Sequence, residues 1–176
     1  MTAVIAPGVG EPAVPPAFVI TPATRATVDE LVRTCSPESL RRRFLRPAPL
    51  DPEAVLERYR RYLLVGPPAG AAAVALAGST PVGLLNLVVE RDGEVEASLL
   101  VADAWQHRHV ATSLLTVELG RPRWVGWTVS ATVEPGNLPV RQLLARQRLG
   151  PCRLVGRDPS AWDYAIHLGE PTASSG

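Results

Sequence analysis

Glu96-Ala97-Ser98-Leu99-Leu100-Val101-Ala102-Asp103-Ala104-Trp105-Gln106-His107-Arg108-His109-Val110-Ala111-Thr112-Ser113-Leu114-Leu115 changes character twice. Its first third is an apolar run short enough for a buried strand, and it ends at Val101. Asp103 to His109 is a polar turn. From Val110 the apolar residues fall at helical spacing, so the turn feeds a helix start. A helix N-terminus carries unpaired N–H groups and the positive end of the peptide dipoles, which together suit an anion. Small residues at Ala111 and Ser113 let such an anion approach the backbone, and Arg108 can add a charged fork.

Upstream of this stretch, three antiparallel strands are expected. Ala72–Ala77 and Pro81–Val89 flank the turn Gly78-Ser79-Thr80, and Arg91-Asp92-Gly93 leads into a third strand over Glu94–Val101. Asp-Gly is a strong hairpin signal because its residues tolerate the left-handed conformation. Further back, Ala17–Thr24 reads as a strand, and Thr24 or Thr27 caps a helix carrying Val28, Leu31 and Val32. Ser36-Pro37-Glu38-Ser39 and Asp51-Pro52-Glu53 each open another helix, with an oxygen-bearing cap followed by proline at the first helical position. Downstream come a helix (Val110–Leu119), a strand (Trp124–Val133), a helix (Leu138–Arg148) and two strands (Cys152–Val155, Trp162–Leu168). This order predicts a mixed α/β sheet, antiparallel in its first half, with a parallel crossing near its middle. Residues 17–168 form the expected domain, with an N-terminal arm (1–16) and a C-terminal tail (169–176) rich in small residues and proline or serine.

Composition narrows the chemistry. The chain has 176 residues, 46% hydrophobic and 20% charged, which suits one globular domain rather than a disordered segment. Net charge is +1, so no bulk field draws the protein to nucleic acid or an anionic membrane. All eighteen basic residues other than histidine are arginine. The absence of lysine excludes a P-loop lysine, a Schiff-base lysine and acetylation of lysines in this chain. Cys35 and Cys152 are too few for a disulfide framework and lack zinc spacing, so free thiols in a reducing compartment are expected. With no membrane-length apolar run and no basic leader, cytoplasmic localisation is the expectation.

The spacing Gln106-His107-Arg108-His109-Val110-Ala111 after Val101 resembles the acyl-CoA pyrophosphate loop of the GNAT (GCN5-related N-acetyltransferase) superfamily. That loop reads Gln/Arg-x-x-Gly-x-Gly/Ala. The element order matches the family from Phe18 to Leu168. Ser36-Pro37-Glu38-Ser39-Leu40-Arg41-Arg42-Arg43-Phe44 is similar to a segment of its bacterial protein-lysine acetyltransferase branch.

The resemblance implies a mostly antiparallel sheet of six to seven strands, with a V-shaped splay between its central strands and about four flanking helices. It implies an acyl-CoA-dependent N-acyltransferase that moves an acetyl group from acetyl-CoA to a primary amine by direct attack in a ternary complex. Glu96 then matches the strand glutamate that acts as general base. Leu99, Leu100 and Val101 meet the pantetheine arm on an unpaired strand edge. Gln106, His107, Arg108, His109, Val110, Ala111 and Thr112 hold the pyrophosphate, and Asn137 lies beside the arm. The acceptor is a small molecule or a protein lysine. No metal is implied, and a homodimer is compatible with the family.

Three departures qualify this expectation. His109 replaces the first loop glycine, which either crowds the phosphates or supplies a hydrogen-bond donor. Leu144 stands where many members carry the tyrosine that reprotonates the leaving thiolate. The usual Gly-Phe after that helix becomes Leu149-Gly150-Pro151. These departures keep open a non-catalytic alternative, a degenerate domain that binds acyl-CoA or a protein partner. The arginines at 41, 42, 43, 46, 58, 60 and 61 read as a solvated helix face, with selection of an acidic acceptor as the sharper reading. His107 and His109 lack a third ligand for a metal. Trp105, Trp124, Trp127 and Trp162 read as core fillers rather than a base-stacking platform.

Overall fold

The computed structural model describes residues 18–169; the expected N-terminal arm, the first residue of the first expected strand and the tail beyond Gly169 lie outside them. The chain runs β1 (Val19–Pro22), α1 (Arg25–Thr34), α2 (Pro37–Arg43), α3 (Pro52–Leu63), β2 (Gly70–Ala77), β3 (Thr80–Arg91), β4 (Glu94–Val101), α4 (Val110–Leu119), β5 (Thr128–Val133), α5 (Leu138–Arg146), β6 (Cys152–Arg157) and β7 (Trp162–His167).

Local chemistry sets the helix starts. Thr24 caps α1 by accepting from the Thr27 amide, while the Thr27 hydroxyl reaches back, a reciprocal cap. Ser36 caps α2 and Asp51 caps α3, each followed by proline.

Seven strands form one sheet in the order β1-β2-β3-β4-β5-β7-β6. Every neighbouring pair is antiparallel except β4 and β5. Because strand side chains alternate between faces, Leu84 and Leu100 point into one layer and Leu85, Leu87 and Val95 into the other. The first layer is closed by α1, α2 and α3 through Val28, Leu31, Leu40 and Leu56; the second by α4 and α5 through Val110, Leu114 and Leu144. Helix α4 crosses β3 at Gly83. A Cβ there would lie 2.5 Å from Val110 Cγ1 and 3.1 Å from Leu114 Cδ1, so the glycine sets how closely the start of α4 approaches the sheet.

The expected architecture holds, with five α-helices rather than about four. The strand expected over Trp124–Val133 begins only at Thr128. Pro122–Trp124 is a 3-10 turn, Gly126 has φ +78°, and Trp124 places its ring in the core, edge-on to Trp127 at 5.2 Å. The last helix ends at Arg146 rather than Arg148, because Gln147 turns extended. Both cysteines are free; Cys35 is buried and Cys152 half-buried.

Candidate active site

The parallel ladder between β4 and β5 has three rungs, Glu94 with Thr128, Val95 with Val129 and Glu96 with Ser130. Beyond Glu96 the strands diverge, although β4 continues to Val101 and β5 to Val133. On its other edge β4 stays paired with β3 as far as Val101. The stretch from Ala97 to Val101 therefore offers a strand edge without a strand partner, the geometry that recruits an extended ligand by main-chain hydrogen bonds. Widening of the V leaves a cavity of about 400 Å³, walled by Ala97 to Val101, Leu115, Val129, Ala131, Val140, Leu144 and Ile166, among others.

The turn after β4 closes one end of this cavity. His109 precedes α4 with φ 63° and ψ 10°, in the left-handed region, and supplies no side-chain cap. The first main-chain bond of α4 runs from the Ser113 amide to the His109 carbonyl at 2.9 Å. The amides of Val110, Ala111 and Thr112 consequently lack helical partners, and all three residues line the cavity. Left-handed backbone costs a non-glycine residue about 1–2 kcal/mol, and histidine tolerates it better than branched residues. His109 thus takes the left-handed conformation that favours glycine.

The loop is pinned to α2. Asp103 accepts from the Ser36 amide (2.8 Å), the Ser36 hydroxyl (2.7 Å) and the Ser39 hydroxyl (2.8 Å). Gln106 Nε2 donates to Ser39 Oγ (3.2 Å) and to the Val101 carbonyl (3.3 Å). Burial pushes the Asp103 carboxyl up, but the serine amide and hydroxyls outweigh it and hold the group below its ordinary value. The far arm of the V is tied to α2 as well: Arg41 grips Glu134 at 2.6 and 2.9 Å while its other donors reach Glu38 and the Arg46 carbonyl.

Glu96 sits at the last rung before the divergence, half-buried, on the same strand face as Ser98. Burial raises its carboxyl, the Glu90 charge raises it further, and Arg43 opposes both; the net direction is upward. A carboxyl held above its ordinary value takes up a proton at higher pH than a free one.

Most of the expected site residues converge. Leu99, Leu100, Val101, Gln106, His107, His109, Val110, Ala111, Thr112 and Asn137 all line the cavity. Asn137 is also the cap of α5, accepting from the Val140 amide at 3.4 Å. Glu96 lies at the apex rather than on the lining. Arg108 is outside it and lies over the Trp105 ring, 5.3 Å from its centroid. Leu144 supplies an apolar wall in place of a hydroxyl.

The residues missed are Asn86, Tyr62 and Ser98, which form a polar cluster with Arg43 on the Glu96 face. Asn86 is fully buried and donates to the Leu63 carbonyl (2.9 Å), Arg43 donates to Asn86 Oδ1 (3.1 Å), and the Tyr62 and Ser98 hydroxyls lie 3.4 Å apart. A lone asparagine in Leu84-Leu85-Asn86-Leu87 was a visible signal, since a buried amide demands partners. Among the described residues no group of three or more His, Cys, Asp and Glu could hold a metal, and no helix is long and apolar enough to cross a membrane.

No family model matches the chain, and no curated protein does. Solved structures do. The GNAT domain of S. lividans PAT superposes with a TM-score of 0.69 at 21% identity, covering 90% of this chain and all of its own. An acetyltransferase from Thermus thermophilus gives 0.67 at 19%, covering 86% of this chain and 97% of its own. The PaiA N-acetyltransferase of Thermoplasma acidophilum, solved with coenzyme A, gives 0.62 at 14%, covering 86% and 99%. The fold of this chain is the GNAT fold.

Proposed function

We propose that the protein is an acyl-CoA-dependent N-acyltransferase that transfers acetyl from acetyl-CoA to a primary amine. The observation that carries this reading is the break in the β4–β5 ladder after Glu96, which opens a cavity onto three unpaired amides at the start of α4. Those amides and the Gln106–Thr112 loop hold the pyrophosphate. The free edge from Leu99 to Val101 aligns the pantetheine arm, with Asn137 beside it. Fixed main-chain donors at that edge favour charge developing on the thioester oxygen.

In the reaction an ammonium first gives a proton to Glu96, directly or through water. Its nitrogen lone pair then attacks the thioester carbonyl; the N–C bond forms, the nitrogen loses its second proton to solvent, and the C–S bond breaks. The sulfur leaves with the electron pair and is protonated by solvent, while Glu96 returns its proton to solvent. Net, an ammonium and acetyl-CoA give an amide, CoA thiol and one proton. Leu144 offers no proton at the cavity wall, consistent with solvent as the acid.

The test is incubation with acetyl-CoA and a panel of amines, following thiol release and the acetyl mass increment on the acceptor. Turnover that falls about a hundredfold or more in Glu96→Gln supports both reaction and base. Turnover unchanged in that variant removes Glu96 from the mechanism, and none with any amine argues against the enzyme.

A further inference from the structure

Three successive arginines end α2, and the structure gives them different fates. Arg41 is held by Glu38 and Glu134, and Arg42 by Glu38. Arg43 turns inward and has no carboxylate partner among the described residues. Its NH2 donates to Asn86 Oδ1, and its guanidinium lies 5.0 Å from the Phe44 ring centroid and 5.5 Å from that of Tyr62. Its Nε is shielded from solvent and has no acceptor. Its contacts are thus one neutral amide and two aromatic rings, and the carboxylate whose charge it feels, Glu96, is not in contact with it. Removing a guanidinium from water without a carboxylate in contact is unfavourable, and an unused N–H adds to that cost.

Position gives this unfavourable arrangement a purpose. Arg43 lines the same cavity as Ser98, and Ser98 pairs with Asn86 across the β3–β4 ladder. Glu96 lies two residues before Ser98 on the same face. The cluster therefore places a cation with open donors near the carboxylate assigned to the amine proton, on the α1–α3 side of the sheet. A planar guanidinium with unused N–H groups is matched best by a carboxylate or an anion of similar shape.

We infer that Arg43 binds an anionic group of the acceptor, so that the substrate is a small amine carrying a carboxylate close to its amino group. The inference rests on the acyltransferase reading. The anion takes terminal guanidinium donors that Asn86 leaves free, and the amine is turned toward Glu96. Arg41 is fully engaged by Glu38, Glu134 and the Arg46 carbonyl, so it does not compete for it, whereas Arg42 is exposed and bonds Glu38 through its Nε alone.

The experiment compares matched acceptors, amino acids and the amines left when their carboxylates are removed. Binding to the CoA-saturated protein is measured by calorimetry, and turnover with acetyl-CoA by thiol release. The expected result is about a tenfold to hundredfold preference for the carboxylate-bearing member in both Kd and KM. In Arg43→Gln that ratio falls toward one. Arg43→Lys, which keeps the charge but not the fork, falls between. Should Arg43→Gln fail to fold, the wild-type ratio still decides. A ratio near one, a preference for the decarboxylated amines, better turnover of a lysine-containing peptide than of any small amino acid, or a ratio unaltered in Arg43→Gln would each overturn the inference. So would acetyl-CoA binding with no turnover of any carboxylate-bearing amine. Failure to bind acetyl-CoA at all instead strikes the underlying acyltransferase reading.

Discussion

At His109 the usual order of helix-forming residues should invert. Alanine ordinarily outranks glycine by about 1 kcal/mol inside a helix. Here the residue before α4 has φ 63°, where a Cβ costs about 1–2 kcal/mol. His109→Ala keeps that cost; His109→Gly removes it but gains about 0.5–1 kcal/mol of freedom in the unfolded chain. Glycine should therefore exceed alanine by roughly 0.5–1 kcal/mol. In a protein of this size that is about 1–4 °C in Tm, readable by paired thermal and urea unfolding. Because neither variant has the imidazole, both share any loss of a donor to the pyrophosphate, expected to weaken acetyl-CoA binding about tenfold. An alanine variant as stable as the glycine variant would refute the left-handed geometry. Tighter acetyl-CoA binding in both would refute the donor role and show that the side chain crowds the site.

Three further outcomes follow from other parts of the molecule. Gly83→Ala should destabilise by about 1–3 kcal/mol in urea unfolding, because its Cβ meets the branched Val110 side chain at 2.5 Å and displaces the start of α4; a neutral result would mean α4 is less tightly seated. The acid limb of kcat/KM should fall above the ordinary carboxylate range and vanish in Glu96→Gln, since burial and the Glu90 charge keep the base protonated, and so idle, to higher pH; a limb unaltered by the substitution would assign it to another group. Burial, with the Asp103 charge, pushes the Cys35 thiol up to about 12, so native alkylation near neutral pH should modify Cys152 first and Cys35 only after denaturation, as peptide mass mapping will show.

What the sequence revealed was what is local. Thr24, Ser36-Pro37, Asp51-Pro52 and Asp92-Gly93 each fix a helix start or a turn through neighbours within a few residues, and each is where it was expected. The loop before α4 was legible for the same reason. The start of β5 was not, because Trp124-Val125-Gly126-Trp127 has the apolarity of a strand while Gly126 takes φ +78° and turns the chain. Least legible was the difference among Arg41, Arg42 and Arg43. Nothing local separates them; the distinction comes from Glu134 and Asn86, brought to α2 by the sheet. A reading of the whole group as a solvated face therefore holds for Arg42 and fails for Arg43, which turns inward.

The central claim is that the cavity at the β4–β5 divergence receives an acyl-CoA. Thermal unfolding with and without acetyl-CoA, and with CoA alone, tests it most directly. Ligand at about 100 times its Kd adds roughly 2.7 kcal/mol, worth about 5–10 °C in Tm for a chain of this size. The account predicts such a rise with both ligands, saturating with concentration. An unmoved midpoint at millimolar acetyl-CoA would contradict it.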